Sequence, residues 1–206
     1  MFLQAIIGEV ADLDDLRASL RRWMTDLAPH ATGWQGGTAG VTADGTFVGL
    51  VRFDTVAAAR RNSDRPEQHQ WWMETAKAFA AEPRFLDCDR VAEYLGGPSQ
   101  QAGFVQVILS HGANFERLNS LMAPYSGMMR EQRPDILGGI SGATADNQFV
   151  DTVYFTSEAA ARAGEAKPAL PELADVMAEY DQLMTIDRYL DIADPWHFSP
   201  GTPVPS

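Results

Sequence analysis

The residue types that most often perform chemistry are few in this sequence of 206 residues. It contains one cysteine and four histidines, His30, His69, His111 and His197. No two histidines lie three or four residues apart, and neither an HExxH nor a CxxC motif occurs, although zinc sites usually need such spacing. The sequence therefore predicts no metal site and no bound cofactor.

Nucleophilic and phosphate-binding motifs are missing as well. There is no GxSxG motif, and Cys88 lies in a predicted strand, where a buried and inert thiol is expected. The glycines of Gly36-Gly37-x-x-Gly40 fall within a predicted strand instead of before a helix, so they do not form a phosphate loop. We interpret them as structural, because glycine removes side-chain bulk where a strand bends or another element lies close.

The best candidates for a ligand site lie on a helix that is predicted from Pro66 to about Ala80. His69 precedes Trp72 by one turn, and Trp72 shares a helix face with Phe79. A titratable group beside aromatic rings is what a pocket for a planar ligand would offer. The alternative is that Trp72 and Phe79 are ordinary core residues and that His69 lies at their rim.

An internal duplication organises the elements that carry these residues. When the sequence is shifted by 102 residues, it matches itself without a gap from Phe2 to Arg60. The matches include Phe2, Gln4 and Ile6 with Phe104, Gln106 and Ile108, and Gly36, Gly37 and Gly40 with Gly138, Gly139 and Gly142. Near the end of each half we align Asp89-Arg90 with Asp187-Arg188, which implies that the second half has lost four residues.

The duplication divides the chain into a first repeat over 1–95, a linker over 96–103, a second repeat over 104–194 and a Pro-rich tail over 195–206. We expect the tail to lack regular structure. The repeated Gln4 and Gln106 are interpreted as structural residues that hydrogen-bond between the two halves.

Positions at which the repeats differ are informative, because a site can survive in one copy only. Such pairs are Arg52 with Tyr154, Gly49 with Asp151, Glu9 with His111, and Trp34 with Ile136. Arg52 lies in an otherwise apolar strand, and a buried arginine needs a carboxylate or an anionic ligand. If its side chain points outward, Arg52 is an ordinary solvated residue.

Each half is predicted to have the order β-α-β-β-α-β, the ferredoxin-like unit. In the first half the strands are expected over 2–8, 34–43, 46–53 and about 84–94, and the dipeptide Asp44-Gly45 marks a hairpin. Asp12 is the expected N-cap of the first helix. The strands are apolar on both faces, unlike strands of a sheet with one face in water. The second face of each sheet is therefore expected to pack against the duplicated half.

This duplicated pattern resembles the dimeric α+β barrel superfamily fused into one pseudo-dimer, and the antibiotic-biosynthesis monooxygenase (ABM) family in particular. The resemblance implies an α+β fold of two tandem ferredoxin-like repeats that form a pseudo-dimeric barrel. It also implies a small protein, often a cofactor-free oxygenase of activated aromatic substrates. Related barrels bind haem, for which His69 or His111 is a conceivable ligand. Vicinal-oxygen-chelate enzymes also duplicate β-rich modules, but the helical stretch after the third strand argues against their β-α-β-β-β order.

The functional hypothesis is an ABM-like oxygenase whose first-half cleft binds an aromatic or polyketide-like molecule. His69 or Arg52 would form or stabilise the substrate anion, and the substrate-binding residues would be Trp34, Trp72, Phe79, His111 and Tyr154. The alternatives are a non-catalytic ligand-binding or stress-related module with the same cleft, and a scaffold protein whose clefts are filled.

Composition limits the partners. The net charge of −12 argues against nucleic acid and against anionic membranes, both of which need clustered Lys and Arg. The sequence shows no signal peptide and no apolar run long enough to cross a bilayer, so a cytoplasmic protein is expected. A small-molecule ligand is the expected partner, within an internal pseudo-dimer that could pair further as a homodimer.

Overall fold

The computed structural model describes residues 1–168 and 170–201, and the chain divides into two compact units. Unit 1 comprises Met1–Asp89 together with the chain from Trp196 onward, and unit 2 comprises Arg90–Pro195. Each unit is an antiparallel five-stranded sheet with helices. Two tandem ferredoxin-like repeats in an α+β chain are thus confirmed.

Unit 1 follows the predicted order of elements. Its elements are β1 (Phe2–Glu9), α1 (Leu13–Arg22), β2 (Trp34–Val41), β3 (Thr46–Phe53), α2 (Val56–Ser63), α3 (Pro66–Thr75) and β4 (Arg84–Cys88). The Asp12 carboxylate caps α1 by accepting a hydrogen bond from the Asp15 amide at 2.9 Å. Helix α1 continues as a π-helical turn over Trp23–Leu27. The helices between β3 and β4 exclude the β-α-β-β-β alternative.

The two faces of the unit 1 sheet differ in what they carry. Its core strands have the ferredoxin-like order β2-β3-β1-β4. Helices pack on the face that carries Trp34, Phe47 and Phe53. Because side chains alternate along a strand, Leu50 and Arg52 lie on the opposite face.

Unit 2 repeats this arrangement. Its elements are β5 (Arg90–Tyr94), β6 (Phe104–Gly112), α4 (Phe115–Met122), α5 (Ser126–Gln132), β7 (Ile136–Ala143), β8 (Gln148–Phe155), α6 (Glu158–Glu165), α7 (Ala174–Leu183) and β9 (Met184–Ile192). The strand order is β5-β7-β8-β6-β9. Helices pack on the face that carries Phe104 and Phe149, so Asp151 lies on the helix-facing side of β8 and Tyr154 on the other side.

The end strand of each sheet differs from expectation. The single strand expected over 84–94 is two strands, and the second of these, β5, pairs with β7 of unit 2. In the Pro-rich tail, residues Trp196–Phe198 form a strand, β10, which pairs with β2 of unit 1. The expectation of an irregular tail is wrong for these three residues, because they hydrogen-bond to an otherwise open sheet edge. Residues 202–206 lie outside the described part of the chain.

The alignment proposed near the end of each half is also wrong. Strand β4 pairs with β1 so that Gln4 faces Asp87, and β9 pairs with β6 so that Gln106 faces Asp191. Asp87 therefore corresponds to Asp191, and the second half has gained residues there instead of losing them. The Gln4 amide donates to Asp87 at 2.7 Å and the Gln106 amide to Asp191 at 2.9 Å. Both glutamines are bonded within their own unit.

Within the described residues, no helix combines the length and the apolar character that a membrane-spanning segment requires.

Candidate functional site

The structure does not bring the predicted residues of unit 1 into one cleft. Trp34 is buried on the helix-facing side of the sheet, where its ring meets that of Trp23 edge-on with centroids 4.9 Å apart. Arg52 lies on the opposite face and donates to the Gln35 carbonyl oxygen at 3.5 Å. The sheet therefore separates Arg52 from Trp34.

The aromatic residues near His69 serve the core of unit 1. Phe79 is buried against Phe47, with ring centroids 5.6 Å apart. The half-buried ring of Trp72 lies 6.3 Å from that of Phe79 and 4.9 Å from that of Phe85. His69 is exposed on α3, one turn before Trp72. These contacts match the core interpretation of Trp72 and Phe79.

The two predicted residues of unit 2 are also far apart. His111 is exposed, and its Nδ1 atom lies 2.8 Å from an Asp187 carboxylate oxygen. Tyr154 is buried opposite Val105 on β6, at the other end of that strand from His111. Their six-residue separation along β6 corresponds to about 20 Å. Over residues 1–168 and 170–201, no three His, Cys, Asp or Glu side chains are grouped so that they could hold a metal ion.

A polar cluster that the sequence analysis did not assemble lies on the helix-facing side of unit 2. We call Tyr94, Ser141, Asp151 and Tyr180 the Asp151 cluster. The Tyr94 hydroxyl donates to Asp151 Oδ1 at 3.0 Å, and the Ser141 hydroxyl donates to the same oxygen at 2.8 Å. All four residues are partly buried, so this carboxylate lies in a setting of lower dielectric than an exposed one.

Strand pairing and one glycine explain the geometry of the cluster. Ser141 faces Asp151 directly across β7 and β8, and Tyr94 on β5 faces Gly139 on β7. A Cβ atom on Gly139 would lie 2.0 Å from Cζ of Tyr94. The missing side chain at this position therefore lets the Tyr94 ring cross β7 and reach Asp151 on the next strand.

The electrostatics set Asp151 apart from an ordinary surface carboxylate. Burial raises the pKa of the Asp151 carboxyl, and the hydrogen bonds from Ser141 and Tyr94 offset part of that rise. Burial, followed by the Asp151 charge, raises the pKa of the Tyr94 hydroxyl well above its ordinary value. Burial and the same charge raise the pKa of Tyr180. The two phenols therefore stay protonated around a carboxylate that binds protons more readily than usual.

Unit 1 has the same backbone positions without the polar groups. Gly49 matches Asp151 and Ala39 matches Ser141 in the repeat. Phe198 on β10 faces Gly37, as Tyr94 faces the matching Gly139, so Phe198 takes the place of Tyr94. Unit 1 therefore adopts the same fold without the two hydroxyls and the carboxylate at these positions.

In unit 1 an aromatic ring fills the place of the carboxylate. A Cβ atom on Gly49 would lie 2.8 Å from Cε1 of Phe47. The matching Phe149 of unit 2 packs against Phe115 of α4, with ring centroids 5.7 Å apart. The two units therefore differ locally: the Phe47 ring lies beside Gly49 in unit 1, whereas a carboxylate lies at the matching position in unit 2.

Sequence reasoning identified Asp151 as a position that differs from its copy but did not assign it to a site. The sequence does not predict its partner Tyr94, because residues 84–94 fit the pattern of one strand of the first repeat. The signal that could have found the cluster is the pair Gly49 and Asp151, since a carboxylate in an apolar strand has a desolvation cost that glycine avoids.

No protein-family model matches the sequence, and no curated protein matches it. Among solved structures, the chain is similar to a "putative monooxygenase" from Lactobacillus acidophilus, with a TM-score of 0.66 and 14% identity over 96% of this chain and 92% of that chain. A "putative monooxygenase" from Fusobacterium nucleatum matches with a TM-score of 0.65 and 8% identity, over 96% of this chain and 91% of that chain. An "anthrone oxidase-like protein" matches with a TM-score of 0.63 and 10% identity, over 98% of this chain and 94% of that chain.

At these identities the similarity establishes the fold. The chain thus shares the fold of these monooxygenase-like proteins, which confirms at that level the ABM-like resemblance of the duplicated pattern.

Proposed function

We propose that this protein is an ABM-like oxygenase of a small aromatic or polyketide-like molecule, and that the Asp151 cluster is its active site. The observation that carries the proposal is the partly buried carboxylate of Asp151, whose two hydroxyl donors and raised pKa have no counterpart at Gly49 of unit 1. A group that the fold does not need, and that is costly to bury, is a candidate for function.

Asp151 acts as the general base in this proposal. It accepts a proton from an activated C–H or O–H group of the substrate, and a carboxyl group with a raised pKa is better matched to that task than an exposed one. Tyr94 and Ser141 hold the carboxylate in position through their hydrogen bonds to Oδ1. The Tyr180 side chain on α7 lies against the apolar residues that cover this side of the sheet.

Oxygen is the oxidant in the overall reaction. The substrate carbanion transfers one electron to O2, and the radical pair combines to form a C–O bond. Protonation by the Asp151 carboxylic acid gives a hydroperoxide. Loss of the second C–H proton and cleavage of the O–O bond then give a ketone and water. A CH2 group and O2 are thus converted to C=O and H2O, and Asp151 returns to the carboxylate.

Oxygen consumption with dithranol, a dihydroxyanthrone, tests the proposal. The measured rate above spontaneous oxidation is expected to fall by at least about a hundredfold in Asp151→Asn, the usual cost of losing a general base. Asp181→Asn removes an exposed carboxylate from α7 and is expected to keep the wild-type rate. If His69→Ala abolishes the activity and Asp151→Asn does not, the chemistry belongs to the unit 1 residues predicted from sequence.

The competing function is a non-catalytic ligand-binding module. Binding of dithranol without oxygen consumption in the wild-type protein would support that module and contradict the oxygenase.

A further inference from the structure

A second polar group lies near the Asp151 cluster without a partner. The Ser110 hydroxyl on β6 is buried, with the residue 3% exposed, and its Oγ atom makes no hydrogen bond to any residue that the structure describes. A buried hydroxyl without a partner costs free energy, so most of them are satisfied. A group in this state needs an explanation.

Strand pairing places Ser110 on the same face as Asp151. Ser110 faces Phe149 directly across β6 and β8, and Asp151 is two residues further along β8. Ser110 and Asp151 are therefore diagonal neighbours on the helix-facing side, with Cα atoms about 7–8 Å apart. Phe149 and Ile108 share this face; Phe149 is buried against Phe115, and Ile108, which faces Asp151 across the strands, is partly buried.

Two comparisons with unit 1 indicate that the fold does not need this hydroxyl. The matching residue is Gly8, where a Cβ atom would lie 2.8 Å from the Phe79 ring. The pairing of β6 with β9 shifts register between Leu109 and Ser110, whereas β1 pairs with β4 without a shift. Such bulges redirect side chains and are frequent beside active sites.

We infer that Ser110 donates a hydrogen bond to a carbonyl oxygen of the ligand whose acidic hydroxyl or C–H group faces Asp151. The inference rests on the proposed function and specifies the substrate class: an aromatic ketone whose acidic hydroxyl or C–H group lies across the ring from its carbonyl oxygen. When Asp151 removes the proton, negative charge spreads onto the carbonyl oxygen, so the Ser110 hydrogen bond strengthens as the anion forms.

Thr152 provides a matched control on the neighbouring strand. Its hydroxyl is also buried and lacks a partner among the described residues. It follows Asp151 directly in β8 and so lies on the opposite face of the sheet. Thr152→Val removes an unpartnered hydroxyl as Ser110→Ala does, but on the side away from Asp151.

The experiment compares two probes in calorimetric binding without oxygen, para-hydroxyacetophenone and para-ethylphenol, which differ in the carbonyl group. Ser110→Ala is expected to weaken binding of the ketone about tenfold, the usual effect of one hydrogen bond. Binding of ethylphenol to Ser110→Ala, and of both probes to Thr152→Val, is expected to stay within about twofold of wild type. Ser110→Ala removes an unsatisfied group, so its resistance to urea is expected not to fall.

Several results would overturn the inference: no binding of the ketone to wild type, equal effects of Ser110→Ala on both probes, or the same loss of ketone binding in Thr152→Val. The result is separable from the proposed function. Selective loss of the ketone in Ser110→Ala without oxygen consumption by the wild type would retain the inference and reject the oxygenase.

Discussion

At the scale of single residues, the buried carboxylate of Asp151 lowers the stability of the native state, and we propose that it is retained as the general base. Its folded pKa is raised by burial, so its contribution to stability is fully present below the unfolded value of about 3.9 and is lost as the pH rises through the folded pKa. Near neutral pH the charged carboxylate therefore destabilises the native state. Asp151→Asn is expected to raise the free energy of unfolding by about 1 kcal/mol near neutral pH, measured by urea unfolding with circular dichroism.

The gain should shrink as the pH falls through the raised pKa of Asp151, because the native carboxyl becomes protonated there. Asp191→Asn is the control, because Asp191 accepts hydrogen bonds from Gln106 and Arg162 and its loss should destabilise the protein. A less stable Asp151→Asn variant near neutral pH would mean that the carboxylate is structural and would contradict its assignment as a base.

The tyrosines of the cluster give a second test at this scale. All five tyrosines belong to unit 2, so the ultraviolet absorbance of tyrosinate reports on that unit. Because burial raises the pKa of Tyr94 and Tyr180, part of the tyrosine absorbance change should occur only well above pH 10.0 in the native protein, and Tyr94→Phe should remove one residue's share of it. Complete titration near pH 10.0 before unfolding would refute the buried cluster.

At the scale of elements, hydrophobic periodicity predicted β1, β2 and β3 of unit 1, because that signal is local to each segment. It could not predict which sheet receives β5 and β10, since pairing depends on residues far away in the sequence. The pairing of β5 with β7 places Tyr94 beside Asp151, and the local sequence around Tyr94 does not predict that pairing. The register of β4 and β9 was misjudged for the same reason.

Strand β10 allows a test at the level of one element. Trp196 lies under the Arg17 guanidinium at 5.0 Å from the ring centroid, and Phe198 packs on both core clusters of unit 1. A chain that ends at Pro195 should lose about 2–3 kcal/mol of stability through this lost apolar burial. Urea unfolding followed by tryptophan fluorescence measures the loss, since the four tryptophans that remain after the truncation all belong to unit 1. The control is a chain that ends at Gly201 and so keeps β10; equal stability of both truncations would refute the contribution of β10.

At the scale of the whole molecule, comparing the two repeats distinguishes the residues that the fold needs, which recur in both, from residues that occur in only one. The glycines and apolar strand residues recur in both copies, and the sequence alone predicted them as structural. The Asp151 cluster occurs in one copy, so it is the part that fold requirements do not explain. The sequence placed the site in unit 1 because His69 and Trp72 stand out there, yet in the structure Trp72 packs into the core and His69 stays exposed.

This division of roles predicts opposite outcomes for matched substitutions in the two units. Gly49→Asp places a carboxylate where the Phe47 ring lies, and the combined overpacking and buried charge should cost about 3 kcal/mol. Gly49→Ala adds the bulk without the charge and should cost less. Tryptophan fluorescence in urea measures both. If Gly49→Asp unfolds at the wild-type urea concentration, unit 1 can accept the polar group, and its absence there no longer distinguishes unit 2 as the site of chemistry.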